Sequence, residues 1–295
     1  APGGLLPRPD AHFSNSKDFD DRMVDLQFRR EVEWVVGHGI AARPTPRDAG
    51  SPLDPETNPA VGAQTIWLPH TRVVRVQATE LESVTVAMDE LAQVKDAADV
   101  ARCLGALPAE YEAWIGEQAQ IELSQARHRE TQADLVVRMR EARARIADGI
   151  ALLESDAELR QAFCWANEAM AEVGRRRNPQ GKPRWRLFQL AFLLLNLRGL
   201  HDPGHEDRDK VELLFFPTGG GKTEAYLGVI ATTLLLRRMR GASRPDGGLG
   251  VAVILRYTLR LLTLDQLERA SALICSLELL RRRHPAQLGT VRYSI

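Results

Sequence analysis

Apolar residues spaced three and four apart dominate the middle of the chain. Leu135, Met139, Ala142, Ile146, Gly149 and Leu153 fall on one narrow stripe, as in a helical hairpin or bundle with coiled-coil character. The helical pattern runs from Ala87 to Gly174, with breaks predicted at Leu107-Pro108 and around Glu154–Asp156. Before it the pattern is mixed. Residues 1–20 are rich in Pro, Gly, Asp and Ser and read as a loop, and Met23, Leu26, Val32 and Val35 predict a helix from Asp21 to near Gly37 or Gly39. Residues 41–62 hold five prolines and no period, which predicts a long loop or a partly disordered insertion. Thr65–Leu68 and Arg72–Gln77 read as short strands.

Beyond the basic linker Arg175-Arg-Arg-Asn-Pro-Gln-Gly-Lys-Pro the pattern changes again. A helix (Arg184–Leu197), a polar turn (Gly199–Asp209), a strand (Val211–Phe216), a glycine loop, a helix (Thr223–Arg240), a strand (Leu249–Leu255), a helix (Leu259–Arg282) and a strand start at Val291 are predicted in turn. Strands alternating with helices of this length build a parallel α/β sheet. The expected organisation is therefore a mixed α+β region (1–86), a helical region (87–182) and an α/β region (183–295).

Composition changes this picture little. The 295 residues are 44% hydrophobic and 26% charged, and Lys+Arg balances Asp+Glu at 39 each, so any nucleic-acid site must be a local basic patch. Cys103, Cys164 and Cys275 are far apart and form no metal-ligand spacing, which fits a reducing cytoplasm. No apolar run approaches the roughly 20 residues of a membrane span, and the N-terminus has neither the charge nor the apolar core of a signal peptide. The absence of an initiating Met implies a fragment or a trimmed chain.

The chemistry concentrates at one point. The predicted strand Val211-Glu-Leu-Leu-Phe-Phe216 runs into Pro217-Thr-Gly-Gly-Gly-Lys-Thr223, and a long helix follows at once. Glycines let backbone N–H groups wrap an anion without Cβ clashes, and the positive end of the helix faces the phosphates. The expected ATP site comprises Pro217, Thr218, Gly219, Gly220, Gly221, Lys222, Thr223 and Glu224. Lys222 would reach the β- and γ-phosphates and the Thr223 hydroxyl would ligate Mg²⁺. Phe216 stands where the strict pattern asks for a small residue. Three glycines followed by Lys-Thr still arise by chance in only about one such chain in a thousand.

Pro217-Thr218-Gly219-x-Gly221-Lys222-Thr223 resembles the first motif of superfamily 2 helicases. Arg256-Tyr-Thr-Leu-Arg-Leu-Leu-Thr-Leu-Asp-Gln266, after the second predicted strand, resembles their next motif. Together with Trp185–Leu197 and, upstream, Asp25-Leu-Gln-Phe and Trp67-Leu-Pro69, these segments are similar to the large helicase subunit of DISARM phage-defence systems. The resemblance implies that residues 183–295 begin a RecA-like P-loop lobe. It implies nucleic-acid contacts at Thr258, Arg260 and Gln266 and an adenine contact at Gln189 through the Arg-x-x-Gln element Arg186–Gln189. It further implies an ATP- and Mg²⁺-dependent DNA translocase that works with a second, DrmB-like DISARM subunit on phage DNA, single-stranded or duplex with an overhang. Gln189 has an equal structural reading, as a polar position on an amphipathic helix.

Hydrolysis also needs an Asp-Glu pair on a later strand and an arginine from a second lobe, and neither occurs here. The chain alone is therefore expected to be inactive. A second reading is an ATP-gated interaction scaffold without DNA-stimulated hydrolysis. Two basic groups stay open between DNA contact and structural use: Arg175–Arg177 with Lys182, Arg184, Arg186 and a stacking Trp185, and the arginines at 127, 129, 138, 140, 143 and 145. His201 and His205, in a Gly/Pro turn, make a weak metal candidate.

Overall fold

In a computed structural model, the structure describes residues 4–7, 16–29, 32–36, 40–55, 57–68, 79–215, 220–243, 246–256 and 260–295; at 242–243 and 260–263 only the backbone is described. These residues are mostly helical, and their one sheet is a two-stranded antiparallel pair. The contacts divide the chain into two units, residues 1–75 with 116–138, and residues 76–115 with 139–295.

The first unit begins with helix α1 (Phe19–Gln27). Asp18 caps it by accepting the N–H groups of Asp20 and Asp21, and the acidic side chains of Asp20 and Asp21 suit the positive end of the helix. The helix stops at Phe28, so the predicted extension through Val32 and Val35 is absent: neither residue is in a helix. The proline-rich stretch is ordered. Strands β1 (Ala41–Pro46) and β2 (Ala60–Ile66) pair antiparallel, with a register irregularity at Thr45/Pro46. Proline is tolerated because β1 has one neighbour only and needs few of its N–H groups. Asn58 closes the connecting loop by donating to the carbonyls of Asp48, Ser51 and Pro52 while accepting from Asp48 N–H. The predicted strand Arg72–Gln77 lies outside the described residues.

A buried ion cluster completes this unit. Asp25 is 8% exposed, and its carboxylate contacts the His128 Nε2 and Arg127 Nε atoms, each at 2.9 Å. A carboxylate can stay buried when partners of this kind replace its water.

The second unit holds the helical core. Helices α2 (Met88–Leu91), α3 (Ala97–Leu104), α4 (Leu107–Ala119), α5 (Ala126–Ser155) and α6 (Ala157–Arg177) follow one another, residues 116–138, from the end of α4 into α5, belonging to the first unit. The break predicted at Leu107-Pro108 falls just before them, at 105–106, the one around Asp156 falls where predicted, and two further breaks, at 92–96 and 120–125, are not predicted from the pattern. Asp156 ends one helix and starts the next: it caps α6 by accepting the Glu158 and Leu159 N–H groups and is contacted by His201 and Arg240. Burial raises its pKa, but those hydrogen bonds and the arginine outweigh it and hold the carboxyl below its ordinary value. The α5 stripe is real and sinks along its length, from half-buried Leu135 and Met139 to Ile146 and Leu153 at 3% and 0% exposed.

Helices α7 (Leu187–His201), α8 (Lys222–Met239), α9 (Arg260–Arg283) and α10 (Pro285–Leu288) complete the unit. Helix α8 packs on α6 and α7, and α9 packs on α6. Helix α8 also closely approaches the segment just before α7: a Cβ on Gly228 would meet the Trp185 ring at 2.7 Å, so only glycine fits. Trp185 is 3% exposed and donates its indole N–H to Asn167 at 2.7 Å. It is a core residue and cannot stack on a base.

The parallel sheet is where the structure departs from expectation. Residues 211–215 and 251–256 belong to no helix and form no strand ladder among the described residues. A strand exists only through a neighbour that takes its N–H and C=O groups, and these segments have none there. No described helix is long and apolar enough to cross a membrane.

Candidate nucleotide-binding site

The glycine loop ends where α8 begins. Gly221 is the residue before the helix and has φ +86, ψ 26, a left-handed conformation that a side chain would strain. Lys222 and Thr223 then occupy the first turn, and Thr223 is 8% exposed. Backbone N–H groups in that turn have no carbonyl four residues earlier in the helix, which leaves them available to an anion. Pro217, Thr218 and Gly219 lie outside the described residues, as does Phe216.

The loop is held from behind by the start of α7. Arg186 donates to the Gly220 carbonyl at 2.8 Å, and Gln189 donates to the Gly221 carbonyl at 2.6 Å. The Gln189 amide oxygen accepts the Arg186 N–H at 2.7 Å, part of a reciprocal cap on α7. Gln189 is 4% exposed. Carbonyls turned toward these two residues leave the opposite side of the loop to its N–H groups, which are the groups a phosphate needs.

Glu224 adds a negative charge to the same turn. It suits the helix dipole but would repel a bound phosphate. Two guanidinium groups offset that charge: Arg177 at 3.1 Å, from the end of α6, and Arg269, from α9, in direct contact. Arg175 and Arg176, the other two members of the basic run, pair with Asp89 and Glu172. The arginines of α5 are likewise engaged. Arg127 pairs with Asp25, Arg129 donates to the carbonyls of Leu123 and Ser124, and Arg138 lies 3.6 Å over the Phe19 ring. Arg140 and Arg143 share Glu112, and Arg145 bridges Asp207 and Glu212. Both basic groups thus have structural uses.

Of the residues expected to meet nucleic acid, Thr258 lies outside the described residues and Arg260 is described only as the backbone start of α9. Gln266 is half-buried on α9, where its amide oxygen accepts the Tyr226 hydroxyl at 2.8 Å. His201 and His205 serve locally, His201 against Asp156 and His205 as the cap of the turn Glu206–Asp209. Four residues around the loop were not singled out for it from the sequence: Arg177, Arg186, Tyr226 and Arg269. Helical spacing offered a signal, because Tyr226 is three residues after Thr223 and Arg269 three after Gln266.

No family model matches the chain. A curated relative is the DISARM protein DrmA of Bacillus paralicheniformis (strain ATCC 9945a / NCIMB 11709 / CD-2), 34% identical over an alignment 236 residues long that covers 73% of this chain. The chain resembles DrmA. It spans 21% of that relative's length.

Proposed function

We propose that the chain supplies the ATP-binding P-loop of a DNA helicase or translocase subunit in a DISARM-like anti-phage defence system. The observation that carries this reading is the start of α8: left-handed Gly221, then Lys222 and buried Thr223, with the loop carbonyls drawn away by Arg186 and Gln189. The resemblance to DrmA supports the defence setting.

The residues fit ATP and Mg²⁺. The Gly221 backbone occupies a position where a Cβ would lie 2.6 Å from the Gln189 amide nitrogen, so the loop is built around the absence of a side chain. Lys222 would hold the terminal phosphates, Thr223 would offer its hydroxyl to the metal, and Gly220, Gly221 and Glu224 would present backbone N–H groups. Bound Mg²⁺ would supply neutralisation of phosphate charge. Gln189 works on the loop, and an adenine contact would draw on the same amide.

A RecA-like arrangement of residues 183–295 is supported by two apolar segments, outside any helix, lying open. Val211, Leu213 and Phe215 are 94%, 81% and 82% exposed, and Val251 and Ile254 79% and 84%. A cavity of about 680 Å³ beside the second segment is lined by Leu227, Leu234, Leu267 and Leu273 of α8 and α9. Apolar chain of this kind suits strands of a parallel sheet covered by helices. DNA and a second, DrmB-like subunit are the proposed partners, in the cytoplasm.

The test is ATP hydrolysis by the full-length protein with and without single-stranded DNA, in wild type and Lys222→Ala. Stimulation by DNA that disappears in the variant is expected. Hydrolysis indifferent to both DNA and Lys222 would overturn the motor reading, and ATP binding without DNA stimulation would favour a nucleotide-gated scaffold.

A further inference from the structure

Three side chains connect the expected metal ligand to the neighbouring helix. The Tyr226 hydroxyl oxygen lies 3.1 Å from Thr223 Oγ1 and 2.8 Å from Gln266 Oε1. An amide oxygen can only accept, so the phenolic proton of Tyr226 goes to Gln266. The tyrosine oxygen is then left to accept the proton of the Thr223 hydroxyl. That sense of the chain has a consequence for Thr223. A Thr223 proton given to Tyr226 leaves the Thr223 lone pairs for other partners, which is the orientation a cation ligand requires. One turn further along α9, Arg269 contacts Glu224, so α9 grips the first turn of α8 at two adjacent places.

We propose that Tyr226, fixed by Gln266, is a positioning residue that turns the Thr223 hydroxyl to ligate the Mg²⁺ of a bound nucleotide. The proposal rests on the P-loop reading above and deepens it. Gln266 then acts toward the nucleotide rather than toward nucleic acid. Loss of the Gln266 contact frees the tyrosine proton to compete for the Thr223 oxygen, which weakens the ligand without removing it.

The experiment is binding of a fluorescent ATP analogue to the full-length protein, in excess Mg²⁺ and again in excess EDTA. Tyr226→Phe removes one hydroxyl and keeps the ring. It should weaken binding about three- to tenfold in Mg²⁺, the scale of one hydrogen bond, and leave binding in EDTA unchanged. Gln266→Leu should shift binding in the same direction by less, again only in Mg²⁺. Equal losses in both conditions, or no loss in Mg²⁺, would overturn the positioning role. Lys222→Ala separates the two levels: if it binds the analogue like wild type in both conditions, the P-loop reading itself fails and takes the proposal with it.

Discussion

The segments on either side of the glycine loop have the same apolar character and opposite fates. After the loop, Leu227, Ala231 and Leu235 of α8 are at most 2% exposed; before it, Val211, Leu213 and Phe215 are at least 81% exposed. A helix satisfies its own backbone and needs only a face to pack against, which α6 and α7 provide. An extended segment needs a partner strand for its backbone before its side chains can be covered. Hydrophobic pattern therefore sets what a segment can bury, and the neighbours within reach decide whether it does.

That contrast can be broken by mutation. Leu235→Ala should destabilise the chain by about 2–5 kcal/mol in urea unfolding, because it opens a cavity among buried side chains. Phe215→Ser should change stability by no more than about 0.5 kcal/mol in the same chain. Comparable losses would mean that the segment before the loop is packed. The contact of α8 with Trp185, just before α7, offers a smaller effect. Gly228→Ala places a methyl against Trp185 and should cost about 1–3 kcal/mol, and a neutral result would mean that the indole can move aside freely.

The smallest effect lies at the far end of α9. The Arg281 guanidinium, helped by Arg282 and the Tyr293 N–H, outweighs the opposing effect of burial and brings the Glu278 pKa from 4.5 down to about 2. A depressed carboxylate stabilises the folded state above its ordinary value and loses that contribution as pH falls from about 4.5 toward 2. At pH 7 Glu278→Gln should cost about 1 kcal/mol after allowance for solvent screening, and the difference from wild type should vanish near pH 2. A difference independent of pH would remove the ion pair as its cause.

Much of the helical part was legible because its signals are local. The stripe from Leu135 to Leu153 and the breaks predicted at Leu107-Pro108 and around Glu154–Asp156 each rest on signals within a few residues, and each has an observed counterpart, the first break two residues early at 105–106. The hairpin at 41–66 was not legible. Its prolines argue against strand, and what permits one is the single neighbour of β1 together with the Asn58 contacts across the loop. Likewise, Val211–Phe215 reads as strand by composition, yet composition does not state whether a ladder partner is present. At the candidate site, the helix that begins directly after the glycines was readable from spacing alone. The supports at Arg177, Arg186, Tyr226 and Arg269 come from three other turns of helix and one shared with the loop, and only the tertiary arrangement brings them together.

The most direct measurement is ATP binding at the start of α8, by titration of the wild-type protein and Lys222→Ala with a fluorescent ATP analogue in Mg²⁺. A phosphate-binding loop predicts saturable binding in wild type and at least about a tenfold loss in the variant, as expected when a charged contact to phosphate is removed. Equal affinity in the two proteins would contradict it.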